Sequence, residues 1–137
     1  MSVVELEEFL RREFPQAFSG GDITIERAAG DTCQLRQRYS ERMLRPGGTV
    51  SGPTLMALAD CAIYVVLLSA IGPVGLAVTT NLNINFLRKG EAGHDVLAEA
   101  RILKLGKRLA VCEATLLSGN SPDPIAHVTA TYSIPTT

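Results

Sequence analysis

From Leu55 to Leu68 the chain is apolar at nearly every position, yet it carries a carboxylate, Asp60, in the middle of the run. An ionised carboxylate buried there without a partner would be strongly penalised, so something must justify it. Two accounts fit. Asp60 is either a structural acid that caps a loop or pairs with an arginine such as Arg45 or Arg88, or a general base or nucleophile in an apolar pocket. Eight residues earlier, Ser51-Gly52-Pro53-Thr54 reads as a helix start with Pro53 at the first helical position. Gly52 allows close backbone approach there, and the helix dipole places partial positive charge beside exposed N–H groups that can hold an oxyanion. The plainer account is that every helix needs a start and Gly-Pro is a common one. At about 1.5 Å per residue the two features lie on the order of 12 Å apart along the axis. One carbonyl cannot touch both within a chain. If both serve the same carbonyl, they come from different subunits facing each other across a two-fold axis.

Other chemistry-bearing residues are thinner evidence. Ser51 and Ser69 have no histidine nearby in sequence, and Gly48-Thr49-Val50-Ser51-Gly52 lacks the spacing of a nucleophile elbow. His94 and His127 stand singly, as a turn residue and a strand residue, so no metal is expected. Cys33, Cys61 and Cys112 form no CxxC pair and are odd in number, which argues against a disulfide framework and for a reducing cytoplasm. Arg88-Lys89 and Lys104 to Arg108 are small basic clusters at turns, read either as solvated surface or as phosphate-binding positions. Tyr64, Val65 and Leu68 could line a tunnel or simply fill core.

The elements that must position these residues follow from periodicity. Val3, Leu6, Leu10 and Phe14 sit near helical spacing, with Glu7 and Glu8 four residues before Arg11 and Arg12, so an amphipathic helix covers about 2–14. Pro15 and Gly20-Gly21 end it. Alternation in Ile23-Thr24-Ile25-Glu26 and Cys33-Gln34-Leu35-Arg36 around Gly30-Asp31 predicts a hairpin from about Asp22 to Tyr39. Arg45-Pro46-Gly47-Gly48 is a loop, and a long buried helix then runs to about Ile71. Leu82, Ile84 and Phe86 alternate with Asn81, Asn83 and Asn85, and three further alternating runs cover about Asp95 to Leu105, Arg108 to Leu117 and Ile125 to Ser133. Turns at Lys89-Gly90, Gly106-Lys107 and Gly119 to Pro124 separate them. The result is an α+β fold, an antiparallel sheet curled around one central helix, as a single domain over 1–137 with its core at about 22–135.

Composition agrees with this. The chain has 137 residues, 46% of them hydrophobic and 20% charged; its mean hydropathy is +0.17. That is too apolar for disorder and long enough for a core of its own. A net charge of -1 gives no cationic field to gather nucleic acid. Asp60 inside the apolar run would cost about 2.5 to 3.5 kcal/mol in a bilayer, so no membrane span is expected. Glu5 and its acidic neighbours stand where an export signal would be basic, and nothing indicates export.

From about Arg42 to Pro135 the arrangement resembles the hot-dog fold thioesterases, and within them the phenylacetate-pathway (PaaI-type) acyl-CoA thioesterases. The residues that carry it are Gly48-Thr49-Val50-Ser51-Gly52, then Leu55-Met56-Ala57-Leu58-Ala59-Asp60 with Cys61-Ala62, then Leu82-Asn83-Ile84-Asn85-Phe86-Leu87-Arg88-Lys89-Gly90. The resemblance implies that Asp60 attacks a thioester or activates water, that the Gly52 N–H binds the carbonyl oxygen, and that Thr79 or Thr80 supplies a supporting hydroxyl. The family usually has His-Gly-Gly where this chain has Ser51-Gly52-Pro53, and Asn where it has Arg45. Pro53 removes an N–H, but not that of Gly52; Ser51 can still donate a hydrogen bond; Arg45 could pair with Asp60 or bind an anionic substrate group. Arg45, Pro53, Tyr64, Asn81, Arg88 and Lys89 are the residues expected along the substrate path, Arg88 and Lys89 at the CoA phosphates. The expected protein is a cytoplasmic acyl-CoA thioesterase with coenzyme A entering only as part of the substrate. It works as a homodimer that pairs again into a homotetramer. The alternative is a non-catalytic hot-dog module that binds acyl-CoA or another apolar ligand. A hot-dog hydratase would want a histidine in the central helix region, and none is there.

Overall fold

A computed structural model describes residues 1–74 and 77–135. Ser2 opens helix α1 (Val3–Glu13) with a capping box, its hydroxyl accepting from Glu5 N–H at 3.2 Å while its own N–H donates to Glu5 Oε1 at 2.9 Å. Leu6, Phe9 and Leu10 form the buried face. Phe9 was not part of the expected stripe; the Arg12 guanidinium lies over its ring, 5.6 Å from the centroid. Glu7 pairs with Arg11 as its spacing predicts, whereas Arg12 pairs with Glu13 rather than Glu8. Pro15 ends α1 and also opens a short helix, α2 (Pro15–Phe18), because its fixed φ suits a first helical position.

Strands β1 (Ile23–Ala29) and β2 (Thr32–Gln37) form the expected hairpin, turning at Gly30 with φ +61°. After a single 3-10 turn at Glu41–Met43, the Arg45-Pro46-Gly47-Gly48 loop proves to be the turn between two short strands, β3 (Leu44–Arg45) and β4 (Thr49–Val50). Two-residue strands have no period to read, which is why only the loop was legible. Helix α3 (Gly52–Ile71) follows and is closed by Gly72 at φ +90°.

The rest of the chain is β5 (Val78–Phe86), β6 (Val96–Leu105), β7 (Leu109–Ser118) and β8 (Pro124–Ser133). The antiparallel sheet has the order β1-β2-β6-β7-β8-β5 and curls around α3. Its inner face carries Ala98, Ala100, Ala110, Ala114, Ala126 and Ala130, all nearly inaccessible, and these short side chains let the sheet close down on a thick apolar helix. β5 starts at Val78, earlier than its Asn-alternating run suggests, because a bulge between Thr79 and Asn81 breaks the two-residue period. α3 is long and apolar enough for a membrane by composition alone, but here it is the core helix.

Candidate active site

Backbone contacts fix the start of α3. Val50 N–H donates to Gly90 O and Ser51 N–H to Met43 O, each at 2.8 Å. Gly90 must be glycine for this approach, since a Cβ there would stand 3.0 Å from that of Val50. Ser51 is the N-cap: its hydroxyl accepts from Thr54 N–H at 3.3 Å and lies 2.8 Å from Thr54 Oγ1. Its polar capacity therefore goes into ordering the helix start. The Gly52 N–H, the first of the helix, donates to no described group. The Phe86 ring stands beside Gly52, 3.0 Å from where a Cβ would be. Helix geometry adds one N-terminal donor and a dipole to a spot left open to a ligand.

Two turns further along α3, Asp60 is half-buried, and its partners are hydroxyls. Thr79 Oγ1 donates to Asp60 Oδ1 at 2.7 Å, and Tyr132 OH donates to the same oxygen at 2.8 Å while lying 3.2 Å from the Asp60 carbonyl oxygen. Neither Arg45 nor Arg88 reaches it. Arg45 is exposed on β3, and Arg88 Nη1 donates to Pro124 O at 3.2 Å on the far side of the sheet end. Of the two accounts of Asp60, the one that pairs it with an arginine finds no counterpart: among the described residues no cation pairs with Asp60. Two neutral donors fix Oδ1, and Oδ2 accepts nothing from the described residues.

The neighbours are kept un-ionised. Burial pushes the Tyr132 phenol well above its ordinary value, with the Asp60 charge adding to it, so it remains a donor. Burial, and then the same charge, push the Cys61 thiol up to about 12, which leaves it a thiol rather than a nucleophilic thiolate.

Asp60 lines two cavities. One, of about 320 Å³, is walled by Phe14, Cys61, Tyr64, Thr79 and Tyr132, among others. The other, of about 560 Å³, lies towards Pro53, Thr54 and Ala57, with Asp22 just before β1 and Gln37 at the end of β2. Tyr64 thus lines a cavity one turn beyond Asp60, whereas Val65 and Leu68 are core with no exposure. Of the two threonines considered, Thr79 meets Asp60. Thr80 sits at the bulge and donates to Thr131 O at 3.1 Å. Asn81 is exposed on β5 opposite Thr131. Arg45, Arg88 and Lys89 are exposed at turns and strand ends, and Pro53 is exposed at the helix start. Ser51, Gly52 and Pro53 are therefore grouped at one end of α3 and Asp60 and Tyr64 further along it, as their spacing required, with Thr79 brought to Asp60 from β5.

Tyr132 is the site residue that the sequence reading lacks. A signal for it exists, because an inward tyrosine late in the last alternating strand must find a partner for its hydroxyl. Phe14, read only as helix-face apolar surface, is the other.

Residues 47–124 match the family described as the Thioesterase superfamily. A "putative esterase" of Saccharolobus solfataricus is 31% identical over 122 residues, 88% of this chain and 78% of that protein. The crystal structure of a "putative thioesterase" from Silicibacter sp. superposes with a TM-score of 0.90 at 44% identity, covering 99% of this chain and 93% of the other. Two more distant structures share the fold. The Escherichia coli PaaI protein from the phenylacetic acid degradation operon has TM-score 0.79 at 22% identity, with 94% and 95% of the two chains covered. A Streptococcus mutans protein bound to acetyl CoA has TM-score 0.76 at 20% identity, with 84% and 90% covered.

Proposed function

We infer an activity from two premises: the chain belongs to the thioesterase superfamily, and its core helix presents a carboxylate with one oxygen anchored and one open beside a cavity. The reaction we propose is hydrolysis of the C–S bond of an acyl-CoA, the acyl group being aliphatic or aryl. The observation that carries it is the double hydroxyl anchor on Asp60 Oδ1. It orients the carboxylate without neutralising it, which suits a base or nucleophile and serves no structural ion pair.

In the base route, Asp60 Oδ2 takes a proton from water as the water oxygen adds to the thioester carbon. In the nucleophile route, Oδ2 itself adds, loss of the thiolate leaves a mixed anhydride, and water then cleaves that anhydride to free the acid and Asp60. Either way the carbonyl oxygen gains negative charge. The Gly52 N–H, at the positive end of α3, is placed to stabilise it. The C–S bond then breaks, the thiolate of coenzyme A leaves and takes a proton, and the acid remains. No cofactor is required beyond the coenzyme A that the substrate carries. The acetyl CoA seen in the Streptococcus mutans relative supports a CoA thioester as ligand.

Gly52 and Asp60 of one subunit lie on the order of 12 Å apart, so the shared carbonyl requires a homodimer. The surface of α3 supports this. Its N-terminal half leaves Pro53, Met56 and Ala57 exposed beside Asp60, while Cys61 to Leu68 are buried. Met56 is midway between Gly52 and Asp60, so antiparallel pairing of two such helices about Met56 sets each Gly52 opposite the other subunit's Asp60. A further pairing into a tetramer, a cytoplasmic location, and contact of Arg45, Arg88 and Lys89 with anionic parts of CoA complete the reading. A hydrolysis screen over acyl-CoA chain lengths, following thiol release, tests it. Turnover that falls by about 10²- to 10⁴-fold in Asp60→Asn is the expected result. Tight binding with no turnover of any acyl-CoA would instead identify a non-catalytic module.

A further inference from the structure

Phe14 stands at the junction of α1 and α2, where Pro15 denies it helical backbone angles, leaving φ −136° and ψ 56°. It is fixed from both directions. Its N–H donates to Leu10 O at 2.7 Å as the last contact of α1, and Phe18 N–H donates to its carbonyl at 3.2 Å in α2. Its ring is wedged edge-on against Phe18 at 6.0 Å and against Tyr64 at 6.3 Å, and Tyr64 in turn stacks on Tyr132 at 6.2 Å. Two helix ends and two rings thus hold the side chain in place, and the second of those rings is itself stacked on Tyr132.

What it is held against is the reacting centre. The cavities of about 320 and 560 Å³ share three walls, Phe14, Asp60 and Cys61. Two of these come from α3 itself. Phe14 is the one that reaches across from another element, so its ring partitions the space on the two sides of the carboxylate. The smaller cavity sets the rings of Phe14, Tyr64 and Tyr132 beside Asp60, with Ala77, Val78 and Glu13 completing its wall, while the larger one runs on towards Pro53 and Thr54.

We propose that Phe14 is the specificity-determining residue of this site: its ring closes the aromatic cavity beside Asp60 and so restricts the acyl group to short or flat ones. This rests on the thioesterase reading. Phe14, like Tyr132, lies outside the family match over residues 47–124, so the N-terminal helices bring to the cavity a wall that the matched segment does not supply. Without the ring, the two cavities become one groove, and a longer acyl chain can run past Asp60.

The test uses the full chain and two readouts. The first is kcat/KM for butyryl-CoA and decanoyl-CoA; the second is the Kd of the non-hydrolysable thioethers S-butyl-CoA and S-decyl-CoA. Wild type, Phe14→Ala and Phe14→Leu are compared, the leucine variant keeping apolar packing at the helix junction. Relative to wild type, the preference for the decyl over the butyl ligand should rise on the order of tenfold in Phe14→Ala, as when a pocket admits methylenes it had excluded, and by less in Phe14→Leu. A merely structural role weakens both ligands equally and leaves the ratio where it was. An unchanged ratio in folded variants overturns the proposal. Failure of the hydrolase reading looks different. Thioethers bind but thioesters are not turned over, and the Kd ratio still decides the role of Phe14. If no variant binds either thioether, both are overturned.

Discussion

At Asp60, two hydroxyls take the place an arginine would have in an ion pair, with a different consequence. Donation from Thr79 and Tyr132 sets the orientation of the carboxylate while its charge stays uncompensated by any described cation. Asp60→Asn keeps an oxygen that can accept from both hydroxyls, so the fold should survive with a melting temperature near that of wild type or above it. Turnover should fall by about 10²- to 10⁴-fold, the usual contribution of a positioned acid–base group. Thermal melting and kcat measured on that one variant separate catalysis from scaffolding, and wild-type turnover in a folded Asp60→Asn protein would refute the mechanism. Tyr132→Phe is gentler. It preserves the ring stack on Tyr64 but removes one anchor, at about 1 kcal/mol of stability by the ordinary worth of such a bond. Because Thr79 still holds Oδ1, kcat should drop by much less than in Asp60→Asn. A loss as large as that of Asp60→Asn would mean the phenol acts on the substrate directly.

Among the elements, those with a sustained period could be read from sequence and those without could not. The ends of α1, the hairpin of β1 and β2 and the last three strands fall close to their expected bounds because each repeats its pattern over several turns or pleats, and α3 does so because a long apolar run is bounded by a helix-start signature and Gly72. The β3 and β4 pair and the first residues of β5 are set by tertiary contacts and a bulge, which leave no repeating trace. The site divides in the same way. Asp60 stood out as a charge in an apolar helix and Gly52 as a helix start, but Tyr132 and Phe14 become site residues only when the last strand and the α1–α2 junction close on α3. On the outer face of the sheet, Glu113 of β7 bridges Arg101 of β6 and His127 of β8. Its carboxyl is held below the usual range by His127 first and Arg101 second. A depressed folded value means the contribution is present above the unfolded pKa of about 4.3 and is lost as pH falls through the folded one. Unfolding midpoints in urea should therefore decline in acid, and Glu113→Gln should flatten part of that decline. Parallel acid profiles of the two proteins would show that the bridge is too well solvated to matter.

For the whole molecule, the decisive question is whether one site draws on two chains, and the sequence supplies a variant suited to ask it. Gly52→Pro removes the N–H proposed for the oxyanion while leaving a helix start intact, because proline is favoured at a first helical position and Ser51 already has the extended angles that a following proline demands. A Cβ at this position would meet the edge of the exposed Phe86 ring at 3.0 Å, a side chain rather than backbone. Gly52→Pro alone should lose about 10²- to 10³-fold in kcat, as expected for one oxyanion donor, and Asp60→Asn alone should be nearly inactive. Unfolded together and refolded as a mixture, they should recover activity. In a heterodimer, one site joins the sound Asp60 of the proline variant to the sound Gly52 N–H of the asparagine variant, while the other site is doubly broken. Random pairing makes about half of the dimers heterodimers with one of two sites working, so the mixture should show about a quarter of wild-type turnover. Sedimentation at micromolar concentration should find dimers or tetramers and no monomer in each sample. If both groups act within one subunit, mixing restores nothing, and a monomer with full activity would end the shared-site argument outright.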